Sequence, residues 1–101
     1  MEDIKDLVPP MGYSIVSNLI IMEGMKVGYM YREEPANKDD SGWRFLSGTE
    51  TQDYVDDEGN SKVFDVNAVA NYDQAIIPYL KLPFGTELER VEEKDEFRPI
   101  E

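Results

Sequence analysis

The sequence contains neither cysteine nor histidine. Without cysteine, disulfides and thiolate metal sites are excluded. Without histidine, the side chain that most often transfers protons near neutral pH is missing, and so are Ser-His and Cys-His nucleophilic pairs. Because small secreted domains usually depend on disulfides, the lack of cysteine favours a reducing compartment, and we expect a cytoplasmic location.

Long apolar runs are also missing. The longest one, Leu19–Met22, is far too short to cross a bilayer. Residues 1–10 do not combine a basic start with an apolar stretch, which a signal peptide needs. We therefore expect neither export by a signal peptide nor a membrane-spanning segment.

Basic residues are scarce: 22 Asp and Glu against 10 Lys and Arg give a formal net charge of −12. Such a charge repels phosphate backbones and anionic lipid surfaces, so we expect no nucleic-acid partner and no membrane partner. It attracts and steers a basic protein partner. The plainer alternative, that the charge only maintains solubility, stays open at this point.

The chain of 101 residues fits a single domain. Residues typical of strands predict four of them, at 13–17, 26–32, 43–47 and 86–91. Asp65 suits a helix N-cap, and Asp73 suits the cap of a second short helix, which Pro78 limits. This order predicts an α+β fold, with a small antiparallel sheet of about four to five strands and one or two short helices packed on one face.

We divide the chain into three parts. Residues 1–12 form an N-terminal arm, residues 13–91 form the single α+β domain, and residues 92–101 form an acidic C-terminal segment. Charged strand edges discourage pairing between copies, so a monomer is favoured and a homodimer is the alternative.

Motifs that would indicate chemistry are missing as well. The sequence has no GxSxG, no P-loop and no GxGxxG. An EF-hand frame that starts at Asn37 places Gly48 where the final glutamate belongs, and a frame built around Gly59 begins at Tyr54, so both fail. Pairs of carboxylates arise by chance among so many acids. We therefore predict no enzymatic activity, no cofactor and no metal.

Acidic side chains concentrate in two polar segments, 33–42 and 48–62, next to aromatic residues and arginine, which are enriched in protein-binding hot spots. The candidate partner-binding residues are Tyr31, Arg32, Glu33, Glu34, Asp39, Asp40, Arg44, Asp53, Asp56 and Asp57. Plainer interpretations remain for this region: Tyr29 and Trp43 suit the core, and Arg32 suits an ion pair with a nearby carboxylate.

Two sequence blocks carry a family resemblance: GYMYREEP at Gly28–Pro35 and SGWRF at Ser41–Phe45. With further matching residues over most of positions 14–90, the chain resembles a bacterial family that was long catalogued as a domain of unknown function and later classed among the immunity proteins of polymorphic toxin systems. The resemblance implies a non-catalytic protein that occludes a toxin, and it supplies no catalytic residues. Toxins that cut nucleic acid are usually basic where they bind phosphate, so the acidic loops fit such a partner.

Two alternatives remain beside the immunity role. One is a housekeeping or regulatory module that binds a protein or a small ligand without any toxin. The other is a small enzyme or ligand binder, which predicts a polar pocket lined by Tyr29, Tyr31, Asp65 or Tyr72.

Overall fold

The computed structural model describes residues 6–91 and 94–100. Its strands are β1 (Tyr13–Ser17), β2 (Tyr29–Arg32), β3 (Asp40–Leu46), β4 (Ser61–Asp65), β5 (Glu87–Arg90) and β6 (Phe97–Pro99). They form one sheet in the order β4-β1-β3-β2-β5-β6. β1 and β3 are parallel, and each of the other neighbouring pairs is antiparallel.

The predicted α+β class is confirmed, but the predicted sheet is wrong in two respects. Over the described residues it has six strands instead of four to five, and it is mixed instead of antiparallel. The additional strands are β4, whose sequence is polar at both ends, and the three-residue β6. The parallel pair arises because β2 lies two positions from β1 in the sheet, and β3 then runs back in the position between them.

One face of the sheet is covered by short helices, and the core lies there. These are α1 (Asn18–Ile21), α3 (Val66–Tyr72) and a 3₁₀-helix, Gln74–Tyr79. Inward residues of neighbouring strands stand opposite one another, as Val16, Phe45 and Met30 do, and the helices add further apolar side chains. The buried cluster is Val16, Ile20, Val27, Met30, Trp43, Phe45, Val66, Val69, Ala70, Ile76, Leu80, Leu88 and Phe97.

The only tryptophan lies in this core, as predicted. Trp43 is fully buried and stacks against Phe45 with 6.0 Å between ring centroids. Its indole Nε1 donates a hydrogen bond to the Leu80 carbonyl at 3.0 Å, so the polar atom that burial removes from water has a partner. Trp43 therefore links β3 to the end of the helical layer.

The predicted helix caps are confirmed. The Asp65 carboxylate accepts a hydrogen bond from the Asn67 backbone N–H at 2.9 Å and starts α3. Asp73 accepts from the Ala75 N–H and starts the 3₁₀-helix, which contains Pro78 and ends one residue later. Caps and proline together hold both helices to one or two turns.

The segment predicted as a polar loop, 48–62, contains more structure than expected. It includes a one-turn helix, α2 (Gln52–Asp56), a 3₁₀-turn at Glu58–Asn60 and the start of β4. α2 has no buried residue. Its side chains stand next to strand residues that point away from the core, so α2 lies on the opposite side of the sheet from α1 and α3. We call that side the open face.

The described residues of both terminal segments contact the domain. In the N-terminal arm, Leu7 and Val8 donate their backbone N–H groups to the Asn67 side-chain oxygen, and their side chains pack against the core. In the C-terminal segment, Phe97 is buried and its strand pairs with β5. No helix within residues 6–91 and 94–100 is long and apolar enough to cross a membrane.

Candidate functional site

An irregularity in β3 shapes the open face. The pairing of β1 with β3 shifts between Tyr13 and Ile15, so β3 has extra residues there, around Gly42. Gly42 has φ +87°, and a Cβ at this position would overlap the Glu33 carbonyl oxygen. Only glycine fits such a backbone without strain. The irregularity brings the side chains at either end of it, Asp40 and Arg44, within bonding distance.

A buried ion pair results. Arg44 donates from Nη1 to Asp40 Oδ1 and from Nη2 to Asp40 Oδ2, each at 2.9 Å, and from Nε to Glu33 Oε2 at 2.6 Å. Asp40 also accepts the backbone N–H groups of Ala36 and Gly42. The Arg44 guanidinium, with these backbone donors, holds the pKa of Asp40 well below its usual range, although burial opposes the shift. The same bonds raise the pKa of Arg44.

A row of side chains crosses the open face at the level of this ion pair. Strand register places Val63 beside Ile15, Ile15 beside Arg44, and Arg44 beside Tyr31. Glu87 follows next to Tyr31. The row runs over five strands. It begins with apolar side chains on β4 and β1, continues with the ion-paired Arg44 on β3 and the Tyr31 ring on β2, and ends with the Glu87 carboxylate on β5.

Two tyrosines occupy the β2 part of this face. The rings of Tyr29 and Tyr31 are 5.5 Å apart, and the Tyr29 hydroxyl donates to Glu87 Oε1 at 3.1 Å. Burial, together with the hydrogen bond and the negative charge of Glu87, raises the pKa of Tyr29 to about 12. Burial is also the main cause of the raised pKa of Tyr31. Both hydroxyls therefore stay protonated at neutral pH and can act as hydrogen-bond donors.

A groove of about 430 Å³ lies between the row and α2. We call it the α2 groove. Its floor is apolar and consists of Ile15, Leu46 and Val63, and α2 contributes Tyr54 and Val55 to the wall. Three carboxylates border it, those of Glu33, Glu50 and Glu58, and the basic residues along it are Arg44 and Lys62. Its volume lies within the range typical of sites that bind small groups.

Glu50 is held in place by the turn that follows β3. Its two oxygens accept the backbone N–H groups of Ser47 and Gly48 at 2.8 and 3.0 Å. Burial alone would raise the pKa of Glu50, but hydrogen bonds from Ser17 and Ser47 outweigh it, and the pKa is lowered. Glu50 therefore carries a fixed negative charge beside the groove.

The structure separates the candidate residues that the sequence predicted into three groups. Most of the acids are exposed: Glu33, Glu34, Asp39, Asp53, Asp56 and Asp57. They lie at opposite ends of β3, since residues 33–39 precede that strand and residues 47–60 follow it. Tyr31 and Glu33 border the α2 groove. The exposed acids of the two polar segments thus form two clusters, with the α2 groove between them.

Asp40, Arg44 and Arg32 are placed differently from what the sequence suggested. Asp40 and Arg44 are buried against each other, so neither offers a free charge to a partner. Arg32 donates to the backbone carbonyls of Ser41 and Leu82 at 2.9 and 2.8 Å, and its guanidinium lies over the Phe84 ring. These three side chains hold the β2–β3 region together. Asp40 and Arg44 are buried, although the sequence suggested exposed positions, because the irregularity in β3 brings them against each other.

Several residues of the groove were missed in the sequence. Ile15 and Val63 are ordinary strand residues, Glu50 and Glu58 were counted only as loop acids, and Leu46 carried no signal of its own. The alternation within β1 predicts that Ile15 points away from Val16. No sequence signal placed it beside Val63, because that contact depends on the pairing of β1 with β4.

Of the four residues expected to line a ligand pocket, Tyr31 borders the α2 groove, and the other three do not. Tyr29 and Tyr31 lie on the open face, but Asp65 caps α3 and Tyr72 is exposed at the other end of that helix. Within the described residues 6–91 and 94–100, no three His, Cys, Asp or Glu side chains converge as a metal site would need.

The protein is thus a small α+β domain whose sheet carries fixed charges and aromatic rings on the face opposite its helical layer. The chain belongs to the Immunity protein Imm33 domain family, whose model matches residues 14–101. The resemblance to immunity proteins is therefore confirmed, and the match continues beyond Arg90 through the acidic C-terminal segment. No match was found among curated proteins or among solved structures.

Proposed function

We propose that this protein is a non-catalytic immunity protein that neutralises a cognate bacterial toxin by covering it with the acidic open face. Membership in an immunity protein family implies a toxin as the partner. The observation that carries the mechanism is the arrangement of fixed and exposed carboxylates around the face that α1, α3 and the 3₁₀-helix leave uncovered. A toxin that acts on nucleic acid presents basic residues where it binds phosphate, and such a surface complements this one.

The charge distribution supports fast association. Exposed acids stand at both ends of β3, a strand of seven residues. The negative charge is therefore found at both ends of β3 and is not confined to one loop. Charges of this kind mainly raise the association rate at low salt, and they contribute less to the affinity of the final complex.

The first test is capture of the tagged protein's partner from its native host, with washes at low and at higher salt and identification of the bound protein by mass spectrometry. We expect one stoichiometric partner with a basic, toxin-like domain, retained less well at higher salt. Retention without any salt sensitivity would contradict the acidic-surface mechanism. Capture of no partner at either salt concentration would contradict the immunity role.

A charge-reversal variant tests the mechanism on the captured toxin. Asp39→Lys, Asp53→Lys and Asp56→Lys together change the net charge from −12 to −6. Because the three residues are exposed, the fold should tolerate them. We expect the association rate at low salt to fall by about tenfold or more, and the difference to shrink as salt is added. Asp40 is left intact, since its buried pair with Arg44 belongs to the fold.

The matched control reverses three other exposed acids, Asp6, Glu23 and Glu96. It has the same net charge of −6, so any loss that depends only on total charge is equal in both variants. A slower association for the first variant than for the control locates the effect in the loops around the open face. Equal rates would mean that the loops have no special role.

A second candidate function is binding of a small ligand, and the volume of the α2 groove favours it. Such a protein would be a housekeeping or regulatory module without a toxin. Thermal unfolding in the presence of a metabolite collection tests this candidate, since a ligand that binds the native state raises the Tm. In either role we propose a monomer. One edge strand of the sheet, β6, is short, and the other, β4, carries the charged Lys62. Short or charged edge strands discourage pairing with a second copy.

A further inference from the structure

We propose that the α2 groove binds an arginine side chain of the basic protein partner. The inference rests on the proposed function and names the group that the open face would recognise. An arginine side chain has an apolar stem and a planar cationic end. The groove offers a matching surface for each of these parts, and no described side chain fills it.

The apolar floor fits the stem. Ile15 and Val63 stand opposite each other across the β1–β4 ladder, and Leu46 lies on the same face at the end of β3. Val63 is 62% exposed although it is β-branched and sits in the sheet. A methylene stem laid over these three side chains would remove apolar surface of both molecules from water.

The carboxylates fit the cationic end. Glu33 uses Oε2 for its bond to Arg44, and its side chain is still 51% exposed, so Oε1 can accept from an incoming guanidinium. Glu50 and Glu58 border the same groove. The groove also has two basic residues along it: Arg44, which is already neutralised by two bonds to Asp40, and Lys62. Among the described residues that line the groove, Lys62 is then the one uncompensated base against the three carboxylates, so the local field is negative.

The aromatic rings favour arginine over lysine. Tyr31 and Tyr54 both line the groove. A planar guanidinium can lie flat against a tyrosine ring while its edge bonds to a carboxylate, whereas an ammonium group is a compact, strongly hydrated charge. The groove thus combines the apolar, aromatic and acidic contacts that distinguish arginine from the other basic side chain.

The first experiment uses N-acetyl-arginine-N-methylamide as the probe, added to the full-length ¹⁵N-labelled protein and followed by NMR. We expect saturable shifts of the amide signals of Ile15, Leu46 and Val63. The citrulline analogue has nearly the same shape but no charge, and we expect its affinity to be lower by about tenfold. Equal binding of both analogues, or shifts spread over the exposed acids at large, would overturn the proposal.

The second experiment compares two substitutions of equal charge. Val63→Lys places an ammonium in the groove, and Met22→Lys places one outside it, at a residue of similar exposure, 62% against 65%. Both variants have a net charge of −11, so long-range attraction is weakened equally. We expect Val63→Lys to weaken binding of the arginine probe about tenfold and Met22→Lys to weaken it less than about twofold. Equal effects of the two variants would overturn the proposal.

The same two variants separate this inference from the proposed function. If a captured toxin binds both variants equally, the toxin-binding role stands and the arginine site is wrong. If only Val63→Lys weakens binding of the toxin, and restoring a neutral residue with Val63→Ala recovers it, both are supported. A mass that doubles with concentration in light scattering, and that Val63→Lys returns to the monomer value, would assign the groove to a second copy of the chain and overturn the arginine site.

Discussion

The two faces of the sheet differ in what their side chains do. On the covered face, Met30, Phe45 and Leu88 meet the helices in an apolar core. On the open face, the centre is a charged side chain, Arg44, whose partners are themselves part of the sheet and its loops. The comparison indicates that stability comes chiefly from one face, which leaves the other available for the proposed contact with a partner.

Two ion pairs, one buried and one partly buried, repeat this contrast. Arg90 is bound to Asp73, its Nε donates to the Val27 carbonyl at 2.8 Å, and Asp73 accepts the Val27 N–H at 3.1 Å. This pair links β5 to the cap of the 3₁₀-helix, and the Arg90 guanidinium lies over the Phe97 ring. Its contacts are thus with residues of the covered face. The Arg44–Asp40 pair instead borders the α2 groove, where Arg44 also bonds to the exposed Glu33.

The largest expected effect on stability comes from the covered face. Trp43→Ala would leave a cavity beside Phe45 and remove the donor that binds the Leu80 carbonyl. We expect the free energy of unfolding to fall by about 4 kcal/mol. Urea denaturation followed by tyrosine fluorescence measures it, because the only tryptophan is lost.

Val63→Ala on the open face is the counterpart to that substitution. Val63 is largely exposed, so its truncation should change the free energy of unfolding by less than about 0.5 kcal/mol. If Trp43→Ala and Val63→Ala had similar effects on the free energy of unfolding, the conclusion that stability comes chiefly from the covered face would be wrong.

Asp40→Asn should have the second largest effect. The substitution preserves the shape of the side chain and leaves the Arg44 charge without its main partner. We expect a loss of about 3 kcal/mol, near the lower end for a broken buried pair, because Glu33 still faces Arg44. Chemical denaturation measures the loss. An unchanged midpoint would show that this pair contributes nothing to stability.

The same pair predicts a pH dependence. The pKa of Asp40 is lowered in the folded protein, so the folded state favours the ionised carboxylate more than the unfolded state does. The resulting stability is fully present above the unfolded pKa of about 4 and is lost as the pH falls below it, toward the lower folded pKa. Denaturation between pH 6 and pH 2 should therefore show a steeper decline for the wild type than for Asp40→Asn. Parallel curves would remove Asp40 as the cause.

Local features of the fold could be predicted from the sequence, and pairings between distant segments could not. The caps at Asp65 and Asp73 and the burial of Trp43 follow from signals within a few residues. The parallel β1–β3 pair depends on which strand the chain returns to, and nothing local encodes that choice. The acids were visible as a composition, but the groove required both the irregularity at Gly42 and the position of β4.

Each face of the sheet carries a helix with a capping side chain, Asp65 for α3 and Thr51 for α2. Of the two caps, we expect the loss of Asp65 to lower global stability more. Asp65 caps α3, whose Val66, Val69 and Ala70 are buried in the core. Removal of its bond to the Asn67 N–H cannot be relieved by local unfolding of α3 without exposing those side chains. We expect a loss of about 1 kcal/mol in global stability. Asp65→Asn keeps a capping oxygen and should recover most of the loss, whereas equal losses for both would mean that the cap is not the cause.

Thr51→Ala removes the corresponding cap from α2 and should have the smallest effect. The Thr51 hydroxyl accepts the Tyr54 N–H at 3.1 Å, but α2 has five residues and buries none of them. So short a helix is marginal by itself, and it can unfold while the sheet and the helical layer stay intact. We expect global stability to change by less than about 0.5 kcal/mol, while amide hydrogen exchange within Gln52–Asp56 becomes faster. Thr51→Ser keeps the hydroxyl and should exchange as the wild type does. A global loss equal to that of Asp65→Ala would mean that α2 is an integral part of the fold, and the open face would then be less open than its lack of buried side chains indicates.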